Sequence, residues 1–454
     1  MGEPNDALGA LVKEARFSFA GLARRVVDLG NVYGLELSYD YTAVHRWIKR
    51  GERPRTPGVP ALIAEALSEK LGRRITPSDF GMTDEPSLDA RALTYSPDLT
   101  ATVETVVELG RADVKRRKVI AAPFVLAALA PPSRDWLLAS LDSAVPDRGP
   151  RRIGMQQIDG IREMFRMFQE MDVMRGGGHA RTALVEYMNS YVMPLLRRDH
   201  TTDVQIALYE AAAEQAYLLG WMAYDDGLHG LAERWLIQSL RLAEASGNRA
   251  LGAHVLAGMS DQANLLGYPR EALMLARAGQ RAITIKDSPA CLADLQVLEA
   301  RALAALGGHD TDAAQAVVLA EQTFQHVVPD NEPEWARFID AAYLFGEAAH
   351  AFRDLGDPTQ IQRFGTESAT EATRQKRARR GALSEAALAI GDLRQGEVDA
   401  AATRGLRVVD LASTVHSSRC IETVRDLTKQ LKPYNDLPSV QEFQHKARIL
   451  LQAA

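Results

Sequence analysis

The stretch Tyr41-Thr42-Ala43-Val44-His45-Arg46-Trp47-Ile48-Lys49-Arg50-Gly51-Glu52-Arg53-Pro54-Arg55 decides how the N-terminal part of this 454-residue chain is read. Val44, Trp47 and Ile48 recur at helical spacing and predict one apolar stripe on a short helix. Asp40 is placed to cap that helix, and Gly51 to close it. Thr42, His45, Arg46 and Lys49 then fall on the solvent side, with Tyr41 at the edge. Pro54 and Pro57 stiffen the exit.

Upstream, Ser18 is a candidate cap for a second helix whose Leu22, Val26 and Leu29 face inward. Arg24 and Arg25 point outward, Gly30 is expected to end the helix, and Asn31 to Ser38 form a loop longer than a tight turn needs. A first helix is expected from Asp6 to Arg16, and a fourth from Val59 to Leu71, with Ile75, Phe80 and Met82 completing a small core. The central pair reads as a helix-turn-helix.

Such a helix presents hydroxyl, imidazole, guanidinium and ammonium groups together, which suits entry into a DNA major groove. Arg46 is matched to guanine, and Thr42 or His45 to other base edges. Lys49, Arg50, Arg53 and Arg55, with Arg24 and Arg25, are expected to meet phosphates, which position the protein without reading sequence. Charge agrees. Residues 1–80 hold twelve Lys and Arg against ten Asp and Glu, so the remainder carries −8 of a total of −6. A small basic head on an acidic body excludes histone-like coating of nucleic acid and favours one specific module.

The run from Val44 to Pro54, with Leu22-Ala23-Arg24-Arg25, resembles the recognition and second helices of Cro/C1-type (XRE-type) repressors. The resemblance covers about 70 residues and implies sequence-specific binding to double-stranded DNA, as a dimer on a pseudo-palindrome.

Residues 83–154 read as a linker with connecting helices. Asp84-Glu85-Pro86-Ser87 opens it, and Thr100 to Leu109 is helical. Lys115-Arg116-Arg117-Lys118 is the densest basic run; it caps a helix end or touches flanking DNA. Val119 to Ala130 is nearly all apolar and is expected to be a buried helix ending at Pro131-Pro132. Asp142 to Arg152 reads as a mobile loop.

From residue 155 onward, amphipathic helices alternate with short breaks, and strand signatures are nearly absent. Breaks at Gly227, Gly267, Gly307, Gly356 and Gly391 are spaced 40, 40, 49 and 35 residues apart. These spacings predict paired helices stacked into an α-solenoid, so the whole chain is expected to be all-α. The units resemble degenerate tetratricopeptide repeats. Trp235 to Ala272, including Ser239-Leu240-Arg241-Leu242-Ala243 and Asp261-Gln262-Ala263-Asn264-Leu265, is similar to actinobacterial regulators with an N-terminal helix-turn-helix and a tetratricopeptide-like C-terminal region. Some of these control sporulation and antibiotic production. That resemblance implies a homodimer with an effector (peptide, small molecule or small protein) in the repeat domain.

Candidate effector contacts are Asn189, Glu214 and Tyr217, and a second set of His254, Asp261 and Asn264, whose spacings of seven and three place them on one helix face. The bland alternative is a polar network between helices. Trp221, Tyr224, Trp235, Trp335 and Tyr343 either line a groove or fill the core. Gly176-Gly177-Gly178 reads as a flexible hinge, and Arg374 with Lys376-Arg377-Ala378-Arg379-Arg380 as a solvated basic helix face.

No nucleophile–base–acid set, cofactor loop or close metal-ligand cluster is evident, so no enzyme activity, metal or cofactor is expected. Cys291 and Cys420 are read as buried thiols. The polar, acidic start and the lack of a long apolar run predict a cytoplasmic protein without a membrane span. The competing class is a protein–protein adaptor without specific DNA binding.

Overall fold

The computed structural model describes residues 4–32, 37–54, 56, 58–73, 75–82, 88–114, 123–142 and 155–453. It is all-α, with no strand among the described residues. The chain divides into two compact units, Met1–Arg91 and Ala92–Ala454.

The first unit is built from α1 (Asp6–Glu14), α2 (Phe19–Val32), α3 (Tyr41–Lys49), α4 (Val59–Leu71) and a 3-10 turn at Pro77–Phe80. Leu8, Leu22, Val44, Ile63 and Phe80 are fully buried in its core. Asn5 locks the two ends of this core together: its Oδ1 accepts from the Leu8 N–H at 2.9 Å, while its Nδ2 donates to the Phe80 carbonyl at 2.7 Å. Ser18 Oγ caps α2 by accepting from Gly21 N–H at 3.0 Å. α2 does not stop at Gly30 but runs on to Val32. A glycine can be carried inside a helix at a cost of about 1 kcal/mol, which the packing of Val26 and Leu29 offsets. Of the expected loop after it, 33–36 lie outside the described residues.

α5 (Leu88–Ala92) spans the boundary, and the second unit continues with α6 (Leu99–Val114), α7 (Ala130–Asp142), α8 (Met155–Arg175) and α9 (Gly177–Tyr187). A π-helical turn at Met188–Val192 leads to α10 (Met193–Leu196). The region around α6 and α7 is core rather than tether. The Asp113 carboxylate pairs with buried Arg181 and accepts from Trp235 Nε1 at 3.4 Å, and Arg241 Nε donates to the Ser96 carbonyl at 2.6 Å. The apolar segment before Pro131-Pro132 is not the expected helix. Residues 123–125 are non-helical, Leu126–Ala128 is one 3-10 turn, and α7 begins where the helix was expected to end. Prolines tolerate a first helical turn, where their missing N–H would find no partner anyway. The basic run at 115–118 and most of the 142–152 loop lie outside the described residues.

Antiparallel pairs follow: α11 (Thr202–Asp225) with α12 (His229–Ala245), α13 (Arg249–Leu265) with α14 (Pro269–Ala282), and α15 (Pro289–Leu306) with α16 (Asp310–Phe324). Then come α17 (Ala341–Leu355) with α18 (Pro358–Arg374), α19 (Ala378–Arg394) with α20 (Val398–Ala412), and the terminal α21 (Ser418–Leu431) and α22 (Pro438–Ala453). Gly267 and Gly356 make their turns at φ of 82° and 80°, conformations that cost glycine no Cβ clash. The last break belongs to Gly396 (φ 83°), not to Gly391, which is inside α19; the step from Gly356 is therefore 40 residues. Leu437 packs with the buried Val440 and Phe443 against the end of the array, where α22 lies on α20.

The Gly176-Gly177-Gly178 segment is a close-packed junction and not a flexible hinge. A Cβ on Gly176 would overlap the His416 carbonyl, one on Gly177 the Met222 backbone at 2.5 Å, and one on Gly178 the Asp226 carboxylate at 2.7 Å. His416 N–H donates to the Arg175 carbonyl at 2.9 Å, so the end of α8 meets the link that precedes Ser418 here. Cys291 and Cys420 are both buried and free.

Candidate DNA-reading face and effector cleft

In the first unit, α3 is set by its cap. Asp40, in extended backbone, accepts from Ala43 N–H at 3.0 Å, and that hydrogen bond holds its carboxyl below the usual range. Ala43, Val44, Trp47 and Ile48 are buried, and the Trp47 ring meets Tyr39 edge-on at 5.0 Å. The opposite side presents Thr42, Arg46 and Lys49, all exposed, and Tyr41, which is 54% exposed. His45 is half-buried because Phe19 at the start of α2 reaches it. Ring centroids lie 5.4 Å apart for Phe19–Tyr41, 6.2 Å for Phe19–His45 and 6.0 Å for Tyr41–His45. This aromatic triad was not legible from helical spacing, since it joins two helices.

The basic residues differ in how free they are. Arg46 Nε is 3.8 Å from Glu52, both exposed, a loose pair that water screens. Arg25 makes a two-pronged contact to Glu69 on α4, at 2.8 and 2.6 Å, so its guanidinium braces the unit as well as facing outward. Arg24 and Arg50 are exposed, and exposed Arg53 reaches the Gly81 carbonyl at 3.3 Å. Arg55 lies outside the described residues.

In the second unit the six expected effector contacts do not form one site. Asn189 Nδ2 donates to the Gly110 carbonyl at 3.0 Å, tying the π-helical turn to α6. Glu214 lies 3.9 Å from Arg162. Asn264 is half-buried near the end of α13. Tyr217 and His254 do meet, while Asp261 turns to Arg301 and Arg419. His254 is fully buried, 4.1 Å from the Tyr217 ring and 4.9 Å, stacked, from Trp335. Burial lowers its pKa to about 3, so the ring is neutral, and neither ring nitrogen has a hydrogen-bond partner among the described residues.

The centre of the unit is an alternating chain of buried charges. Asp172 (α8) pairs with Arg379 (α19) at 2.8 Å, and Arg379 with Asp225 (α11) at 2.7 Å. Asp225 meets Arg419 (α21) at 3.1 Å, and Arg419 meets Asp261 (α13) at 3.5 Å. Asp261 pairs with Arg301 (α15) at 2.5 Å, Arg301 with Glu347 (α17) at 2.6 Å, and Glu347 with Arg380 at 2.9 Å, back on α19. Arg377 completes the group through Asp340 at 2.8 Å. The basic run around Arg377, Arg379 and Arg380 is therefore buried, against the expectation of a solvated face. Composition hides this, because the carboxylates that neutralise it come from α8, α11 and α17 with its N-cap.

The environment separates these carboxyls. Burial pushes Asp225 up, but Arg379 and Arg419 outweigh it and hold the group below the usual range. Glu347 is likewise raised by burial and then held far below it by Arg301 and Arg380. Asp172 stays raised, since Arg379 only partly offsets burial. Asp294 is pushed well up by burial and by Glu347 and Asp261.

Beside this chain lies a cleft of about 510 Å³, measured out to its open mouth. Arg377, Arg380 and Arg419 share its wall with Trp221, Phe338 and Tyr343. Of the aromatics considered from sequence, Trp235, Trp335 and Tyr224 are core, while Trp221 and Tyr343 are buried yet reach this wall. Among the described residues no group of His, Cys, Asp and Glu could hold a metal ion, and no helix is long and apolar enough to cross a membrane.

No curated protein matches the chain. Residues 8–83, the greater part of the first unit, are similar to the family described as the SP15 N-terminal domain.

Proposed function

We propose that the protein is a sequence-specific DNA-binding transcription regulator related to the actinobacterial class. Its first unit reads DNA, and its repeat unit senses an effector and mediates homodimerisation in the cytoplasm, at the nucleoid. Control of development or secondary metabolism is the part of this reading that rests on the resemblance. One observation supports it above the others: α3 is capped by Asp40, anchored by Val44, Trp47 and Ile48, and turns Tyr41, Thr42, Arg46 and Lys49 outward together. A short helix with that face matches the size and donor pattern of a major groove. A dimer would set two such helices on half-sites about one helical turn apart, or multiples of it.

Selection of genomic DNA fragments by the full chain at about 0.15 M salt, repeated with Arg46→Ala, tests the reading. Recovery of an inverted repeat that the variant no longer prefers supports it. Absence of any sequence-selective DNA complex transfers the weight to a protein–protein adaptor.

A further inference from the structure

The outward face of α3 is not uniform. At about 100° per residue, Tyr41 and His45 fall along one edge of it, Arg46 along the other, and Thr42 and Lys49 between them. The Arg46 edge offers guanidinium donors. The opposite edge is aromatic, and it continues onto α2.

Phe19, in the first turn of α2, makes that continuation. Its ring packs against the core of the unit. Tyr41 tilts over it at 5.4 Å, and His45 stacks on Tyr41 at 6.0 Å while meeting Phe19 edge-on at 6.2 Å. Such separations are those of favourable ring pairs. Tyr41 is therefore held in place by two neighbours although it is 54% exposed. The Asp40 cap fixes the backbone beneath it.

Size and charge say what this edge meets. Three rings, two of them half-buried, make a spot for one small apolar group. A stable protein–protein contact buries about 800 Å² on each partner, far more than this edge presents. Arg46 and Lys49 lie on the same exposed face, and Asp40, the acid next to Tyr41, is engaged as the helix cap. Protein interfaces are depleted of charge at their centre, whereas cations around an apolar spot suit a groove walled by phosphates. In a major groove, the small apolar group at a base edge is the C5-methyl of thymine.

We propose that Phe19, Tyr41 and His45 form a thymine-reading edge, with the Tyr41 and Phe19 rings covering the C5-methyl of a base near the guanine met by Arg46. This assignment deepens the DNA-reading part of the proposed function and rests on it. It adds a second determinant of specificity, supplied jointly by α2 and α3, that reads a methyl group by contact and not by hydrogen bonds.

The test takes the operator recovered by the full chain and replaces thymidine by deoxyuridine, one position at a time, so that only methyl groups are lost. At one or two positions near the guanine, binding should weaken about three- to fivefold per half-site, the worth of burying one methyl. Tyr41→Phe should keep this discrimination, since the ring and not the hydroxyl makes the contact. Tyr41→Ala, at an exposed position, should bind the thymidine operator more weakly by the same factor and treat thymidine and deoxyuridine alike, while still preferring the guanine. Equal binding of the parent with deoxyuridine at every position would overturn the proposal, assign the aromatic edge to a protein partner and leave the DNA reading standing. Full discrimination by Tyr41→Ala would overturn it too. Recovery of no selective operator would overturn both it and the DNA reading.

Discussion

Arg379 and Asp172, 207 positions apart in the chain, are joined by two guanidinium nitrogens, the shorter contact being 2.8 Å, with both side chains buried. This pair fastens α19 to α8, so the far end of the helical array is held by its beginning. Removing one partner of such a pair leaves an uncompensated buried charge, which costs about 3–5 kcal/mol. Arg379→Ala strands Asp172 and leaves Asp225 with Arg419 as its one guanidinium partner, and is expected to lose stability at the upper end of that range. Asp172→Asn leaves Arg379 with Asp225 and should lose less. Urea unfolding of the two variants checks the order; equal losses would mean that Asp225 is no partner.

Gly252 carries a different load. A Cβ there would run into the indole of fully buried Trp136, which docks α7 on α13. Gly252→Ala is expected to destabilise the protein by about 1–3 kcal/mol, since an overpacked core has to shift its backbone or its rotamers. The same change at exposed Gly160, inside α8 with open space around it, should be neutral or slightly stabilising. Thermal melts of both variants make the comparison.

The buried histidines set an acid limit. Burial lowers the His254 pKa from 6.5 to about 3, and burial with Arg353 holds His350 far below its usual value. A group whose folded pKa is depressed stabilises above its unfolded pKa, and that stability is lost as pH falls toward the folded value. Stability should therefore decline from about pH 6.5 downward, before the carboxylates titrate in the unfolded chain. His254→Phe removes the proton-binding ring and should flatten the first part of that decline. An unchanged slope between pH 6.5 and 5 would assign it elsewhere.

On DNA, Arg46 and Lys49 should behave differently although both are exposed on α3. Arg46→Ala is expected to relax base preference at one position by about 1–3 kcal/mol. Lys49→Ala should weaken all sequences alike and lower the salt slope by about one. Competition binding at several salt concentrations separates the two; identical behaviour would place neither at a base edge.

Local chemistry was enough to identify α3 before any tertiary contact was known. Its cap, inner stripe and outward face follow from the order of Asp40, Val44, Trp47 and Arg46, because helical periodicity is set by neighbours three and four residues away. The turns at Gly267 and Gly356 were legible for the same reason. The break at Gly391 was misplaced because a glycine can also serve close packing inside a helix, and here a Cβ would sit 3.1 Å from Ile361 Cγ2.

The cleft was not legible. Arg377, Arg379 and Arg380 have the spacing of a solvated basic face, and what buries them is the arrival of Asp340, Asp172, Asp225 and Glu347 from distant helices. Sequence by itself determined that this chain is helical, where its pairs turn, and which face of α3 is polar. Tertiary structure alone decided which charges meet, because the energy of an ion pair depends on separation and on exclusion of water, and neither is a property of position along the chain.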